Sequence, residues 1–159
     1  QKSQKYNLDL NPVVYLYNGY AYYKLGFVNN IRNDDLLKKA IEQLNIYLKV
    51  NDSNTMAYFI KGLANFAFMM PPKDKEFNKY SEGAEAAYKK ALNYAKSPQQ
   101  INKINYHLAL VYYHRALDIR SRDSKASVDD LKKDAISLLK SVGDQKSEDT
   151  IKEIESVLK

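Results

Sequence analysis

The sequence predicts an all-α protein of seven helices, and three observations carry that expectation. Nearly every segment repeats apolar residues at helical spacing, proline and glycine are sparse, and no segment alternates apolar with polar residues long enough to make a strand. The first helix opens at Asn11-Pro12, a capping side chain followed by a proline whose missing N–H is not needed in the first turn, and runs to about Phe27. After the polar VNNIRN, the stretch NDDLLKKAIEQLNIYLKV sets Leu36, Leu37, Ala40, Ile41, Leu44 and Tyr47 on one helical face. Ser53 or Asn54 caps a third helix that continues through Met70 and stops at Pro71-Pro72. The fourth covers about 75–96, with Phe77, Tyr80, Ala84, Tyr88 and Ala91 on one side. Ser97-Pro98 repeats the opening signal for a fifth helix that reaches about Ile119. Ser127 with Asp130 reads as a capping box for a sixth, which Gly143 ends. The seventh begins near Ser147 and aligns Ile151, Ile154, Val157 and Leu158.

Composition bounds the function class. A chain of 159 residues with 45% apolar and 28% charged residues suits one globular domain. No apolar run approaches the ~18 residues of a membrane span. Cysteine is absent, which removes disulfides, thiol catalysis and Cys-ligated zinc. The net charge of +6 rests mostly on lysine; the arginines are Arg32, Arg115, Arg120 and Arg122. Planar recognition of phosphates and bases prefers arginine, so basicity argues only weakly for nucleic acid. The wealth of Lys and Asn and the start at Gln1 lead to the expectation of a bacterial cell-envelope protein, periplasmic or lipid-anchored, whose export signal has been trimmed. A cytoplasmic fragment fits the same features.

The first helix holds a puzzle: it combines Gly19 with Tyr15, Tyr17, Tyr20, Tyr22 and Tyr23, although glycine costs a helix about 1 kcal/mol against alanine. An internal repeat resolves it. Tyr15-x2-Asn18-Gly19-x2-Tyr22 is followed by Tyr58-x2-Lys61-Gly62 and by Leu108-Ala109-x2-Tyr112 on the odd-numbered helices. The even-numbered helices carry Ala40-x3-Leu44-x2-Tyr47, Ala84-x3-Tyr88-x2-Ala91-Leu92 and Ala135-x3-Leu139-x2-Val142. Gly19, Gly62 and Ala109 are small where a neighbouring helix must come close, and Ala40, Ala84 and Ala135 are the opposing small surface. Tyr15, Tyr22, Tyr58, Tyr88 and Tyr112 fill the space beside the contact.

This pattern resembles the tetratricopeptide repeat, which pairs W-x2-L-G-x2-Y on one helix with A-x3-F on the next. The resemblance covers helix pairs at about 12–50, 54–96 and 98–142, with the helix at about 147–158 similar to the family's terminal capping helix. It implies antiparallel pairs stacked as a short right-handed solenoid. The chain departs from the family in lacking the Trp, in lacking a proline at Asp52, and in placing Asn65 where an aromatic is usual. The extra residues FVNNIRNDD, MMPPKDKEFN and ALDIRSRDSKASVDD fall at the same end of each pair, as longer first helices or protruding loops.

A second pattern lies off the small-residue face. Leu16, Tyr20 and Tyr23 recur as Phe59, Leu63 and Phe66, and again as Tyr106, Leu110 and Tyr113, each set at i, i+4 and i+7. In tetratricopeptide proteins the corresponding face lines a concave groove that receives partner segments. The resemblance therefore implies a trough floored by these stripes, with Val13 and Met56 beside them and Lys24, Lys103 and His114 as a polar rim. The same rings could equally be interior, covered by the chain itself. The family's carboxylate-gripping mode is not expected, since the matching positions are Leu16, Tyr20, Ile60, Lys103 and His107.

Other chemistry is thin. His107 and His114 stand two turns, ~10 Å, apart on one helix, too far to share a metal. Asp34-Asp35 and Asp129-Asp130 sit at helix starts, where they favour the dipole. No phosphate loop or nucleophile motif is present. Lys38-Lys39, Lys89-Lys90 and Lys132-Lys133 fall on second helices, where a basic strip for lipid or nucleic acid is the alternative function. The expectation is a non-catalytic protein-binding scaffold without cofactor, metal or small-molecule substrate, taking a partner helix or apolar peptide, with self-association as a further possibility.

Overall fold

The computed structural model describes residues 11–71 and 75–159; Pro72, half of one expected helix stop, lies outside them. Seven helices form among the described residues: α1 (Val13–Gly26), α2 (Asp34–Val50), α3 (Thr55–Ala67), α4 (Phe77–Tyr94), α5 (Pro98–Arg122), α6 (Asp129–Val142) and α7 (Gln145–Val157). The described residues are all-α apart from one small hairpin, β1 (Phe27–Val28) and β2 (Ile31–Arg32).

That hairpin corrects the expectation of no strand. Phe27 pairs with Arg32 and Val28 with Ile31 around Asn29 and Asn30, both left-handed at φ +51° and +62°. A two-residue turn with both residues left-handed matches the twist of an antiparallel pair, and asparagine tolerates that conformation better than most residues. Strands of two residues are too short to show alternation in a sequence. Arg32 then ties the hairpin to the end of α3. Its Nε donates to Asp34 Oδ1 at 2.6 Å, its Nη1 reaches the Phe68 carbonyl at 3.2 Å, and its guanidinium lies 5.2 Å from the centre of the Phe68 ring.

Most helix ends follow local chemistry. Asn33 accepts from the Leu36 N–H, Asn54 from Ala57, and Asp144 from Ser147. Ser97 and Gln100 form a reciprocal capping box ahead of α5. Gly143 takes φ +69° to close α6. Four boundaries differ from expectation, α7 among them, since it opens at Gln145 behind the Asp144 cap rather than near Ser147. α3 stops at Ala67 because Phe68 and Met69 turn into the core, where Phe68 stacks on Tyr80 with ring centres 4.0 Å apart. α5 runs on to Arg122, its last turn clipped by the Arg122–Asp118 ion pair. The capping box at Ser127 does not form: Ser127 Oγ donates to Asp129 at 3.0 Å, and buried Val128 occupies the cap position instead.

Sequence neighbours pack on one another, most extensively within α1/α2, α3/α4 and α5/α6. The pairs are antiparallel, since Gly19 faces Ala40 and Leu44 while Gly26 faces Leu37, and Gly62 faces Tyr88 while Gly83 faces Asn65. The small residues do mark close approaches. A Cβ on Gly19 would fall 2.6 Å from Leu44 Cγ, and one on Gly62 would fall 2.4 Å from Tyr88 Cε1. Ala40, Ala84, Ala109 and Ala135 are fully buried. Asn65 makes its own exception to the aromatic pattern. It is buried and donates to the Lys61 carbonyl at 2.8 Å, and a Cβ on Gly83 would fall 2.6 Å from its Oδ1, so glycine on α4 makes room for an amide on α3.

Candidate functional site

The odd-numbered helices bring two of the three aromatic stripes to one open trough. Leu16, Tyr17, Tyr20, Tyr23 and Lys24 of α1 face Met56, Phe59, Ile60 and Leu63 of α3, with Lys103 of α5 at the far wall, around a cavity of 430 Å³. Helical spacing does the positioning: Tyr17, Tyr20 and Lys24 stand at i, i+3 and i+7, as do Met56, Phe59 and Leu63. A smaller hollow of 190 Å³ adjoins it, sharing Met56, Phe59 and Lys103 and adding Thr55, Gln99, Gln100 and Ile104.

The lining is apolar and partly open to water. Tyr17 is 66% exposed, Met56 54% and Tyr20 47%, whereas Phe59 is buried. Burial, and then the neighbouring Tyr20, push the Tyr23 hydroxyl above its ordinary value, so it stays a neutral donor. Lys103 lies 5.0 Å over the Phe59 ring, a cation–π contact that holds the ammonium at the rim.

The remaining predicted residues lie elsewhere, a correction to the three-stripe trough. Phe66 packs edge-on against His114 at 5.3 Å between ring centres, closing the seam between α3 and α5. Tyr106, Leu110 and Tyr113 do not line the cavity, because α7 covers that end of the face. Tyr113 is buried and donates to Glu153 at 2.9 Å, Tyr106 meets Thr150 at 3.4 Å, and Lys146 sits 4.2 Å over the Tyr106 ring. The physical reason is continuity of stacking. Thr150 and Glu153 of α7 meet Tyr106 and Tyr113 of α5, as His114 of α5 meets Phe66 of α3. Val13 is half-buried outside the lining, Tyr17 takes part unforeseen, and Ile60, one of the positions matched to the carboxylate-gripping mode, lines the trough as an apolar residue.

His107 sits behind the trough, between Phe59 at 5.3 Å and Tyr88 at 6.0 Å. Burial, with added repulsion from Lys146 and Lys103, pushes its pKa from 6.5 down to about 4, so it is neutral near pH 7. Its Nδ1 and the Tyr88 hydroxyl are buried without a hydrogen-bond partner among the described residues.

On the opposite side, Glu85 of α4 gathers Lys89 at 2.6 Å, Tyr112 at 3.1 Å and Arg115, while Arg115 Nε also donates to Ser81 at 3.1 Å. Burial by itself would raise the Glu85 carboxyl, but the hydrogen bonds from Lys89 and Arg115 outweigh it and hold the group below its ordinary range. The second-helix lysines are divided among separate tasks. Lys89 pairs with Glu85, Lys39 lies 5.9 Å over the Tyr22 ring, and Lys132 donates to the Leu158 carbonyl at 2.9 Å. Lys38, Lys49 and Lys61 line a shallow hollow with Glu42 between α2 and α3.

Among the described residues no three His, Asp or Glu side chains converge as metal ligands, and no helix is long and apolar enough to cross a membrane. Comparison with protein-family models, with curated proteins and with solved structures finds no match to this chain.

Proposed function

We propose that the chain is a non-catalytic scaffold of the tetratricopeptide type that binds another protein through the trough between α1, α3 and α5. The observation that supports this reading best is the open lining itself: Tyr17, Tyr20 and Met56 expose large apolar surface side by side on a preformed wall. Rings and thioethers bury much area on contact, and a concentrated apolar patch is the usual mark of an interaction surface. The wall is rigid because Gly19 and Gly62 let α2 and α4 close behind it. Little ordering would be needed on binding, which favours affinity.

The occupant in this reading is a helix or extended segment that seats apolar anchors against Tyr20, Met56 and Leu63. The test is affinity capture from lysate of the native organism, wild type beside the double variant Tyr20→Ala/Met56→Ala. Both residues are about half exposed, so the variant should keep its fold, which circular dichroism checks. A protein retained by the wild type and lost by the folded variant supports the reading. Identical captures would move the site away from the trough.

A further inference from the structure

The charge around the trough narrows the occupant. Two hollows share Met56, Phe59 and Lys103, and among the described residues no aspartate or glutamate lines either of them. Among the described residues their only formal charges are Lys24 and Lys103, on the α1 and α5 walls, and neither pairs with a carboxylate there. Lys146, over Tyr106 beyond the α5 wall, adds a third cation, which together with Lys103 repels a proton from His107. This contrasts with the face behind, where Glu85 collects Arg115 and Lys89. Tyr17 and Tyr20 add exposed hydroxyl groups to the donor set, whereas the acceptors are the neutral amides of Gln99 and Gln100 and the tyrosine and Thr55 hydroxyls. A second copy of a chain carrying +6 is a poor electrostatic match for such a surface.

We infer that the trough takes an acidic apolar peptide segment, one whose aliphatic or aromatic anchors lie against Tyr20, Met56 and Leu63 while its carboxylates meet Lys24 on one wall and Lys103 on the other. The inference rests on the proposed protein-binding role and specifies the chemistry of the partner. The two cations stand on opposite walls of one apolar floor, so they select charge on both flanks of the anchor. Lys103, held over the Phe59 ring, presents its ammonium at the junction of the two hollows, where a carboxylate would replace part of its water shell.

The probe is a random 12-residue peptide library displayed on phage and selected against the intact chain, with binders remeasured as free peptides. The expected result is enrichment of Leu, Ile or Phe together with Asp or Glu. Affinity should fall more than tenfold in the folded variant Lys24→Glu/Lys103→Glu and weaken between 50 and 300 mM salt, roughly as exposed charge pairs are screened. Apolar binders without acidic bias, lost in Tyr20→Ala/Met56→Ala but unaffected by the charge reversal, would overturn the inference and leave the groove reading standing. No selectable binder, or binders indifferent to both variants, would overturn both. Self-association by sedimentation that Tyr20→Ala/Met56→Ala abolishes would assign the trough to a second copy and refute the acidic partner.

Discussion

Replacing Gly62 with alanine separates helix propensity from packing at the closest approach of α3 and α4. Propensity alone favours Gly62→Ala by about 1 kcal/mol. The structure opposes it: the new Cβ would lie 2.4, 2.6 and 2.8 Å from Cε1, Cδ1 and Cζ of Tyr88. Carbon atoms in contact prefer roughly 3.5–4.0 Å, so the overlap exceeds 1 Å at the nearest atom. All three atoms belong to one rigid ring, itself fully buried and flanked by Phe59 at 5.8 Å and His107 at 6.0 Å. Overpacking costs about 1–3 kcal/mol, and this site belongs at the upper end, leaving a net loss of about 2 kcal/mol. For a chain of this size that is a fall in Tm of about 4–8 °C. Urea unfolding followed by circular dichroism measures it, with an unchanged slope showing that the folded state is otherwise intact. Adding Tyr88→Leu should make the two changes less than additive. A Tm that rises in Gly62→Ala would refute the reasoning, since propensity would then outweigh a contact that does not exist.

The other expectations concern titration, pairing and chain direction. Neutral His107 belongs to the fold and the unfolded chain takes up a proton at 6.5, so stability is full above that pH and declines as pH falls toward 4, by about 3 kcal/mol in all. Stability against pH should flatten in that window for His107→Phe; an unchanged slope would assign the effect to other groups. Glu85→Gln removes the shared acceptor of Lys89, Tyr112 and Arg115 and should lower stability by about 1–2 kcal/mol, read by urea titration. The native Glu85 contribution is present above pH 4.5 and fades as the pH drops through its lowered value, so wild type and Glu85→Gln should converge in acid. Gly143→Ala meets nothing closer than the Lys140 carbonyl at 3.8 Å, so its expected loss of about 1 kcal/mol is conformational, and Gly143→Asn should lose less.

The framework was legible because it rests on spacing and caps. Asn54 and Ser97 announce helix starts with side chains that act within three residues. Gly19 opposite Ala40, and Gly62 opposite the segment around Ala84, read as close contacts because small residues recur at matching places in successive helices. Boundaries governed by tertiary packing were not legible. Nothing local to Ala67 shows that Phe68 will turn inward onto Tyr80, or that Val128 will displace the expected cap at Ser127.

The trough was half legible for a related reason. A stripe at i, i+4 and i+7 says that its residues share a face, but what lies over that face depends on the next helix in the stack. Phe66 therefore closes against His114, and Tyr113 disappears beneath Glu153 of α7. Tyr17 was not legible as lining because it stands outside the i, i+4 and i+7 stripe, although its spacing to Tyr20 and Lys24 places all three on one side. The Asn65–Gly83 fit was hidden because one partner interrupts the aromatic pattern and the other lies outside it.

The central claim is that partner protein lies in the trough, and a photo-crosslinking residue tests where contact occurs. Such a residue in place of Tyr20, on the α1 wall, is compared with one in place of Asn45, which lines the hollow between α2 and α3. Irradiation in lysate should give a discrete adduct from position 20 and none from position 45. An adduct from position 45 alone would contradict the account and return attention to Lys38, Lys49 and Lys61.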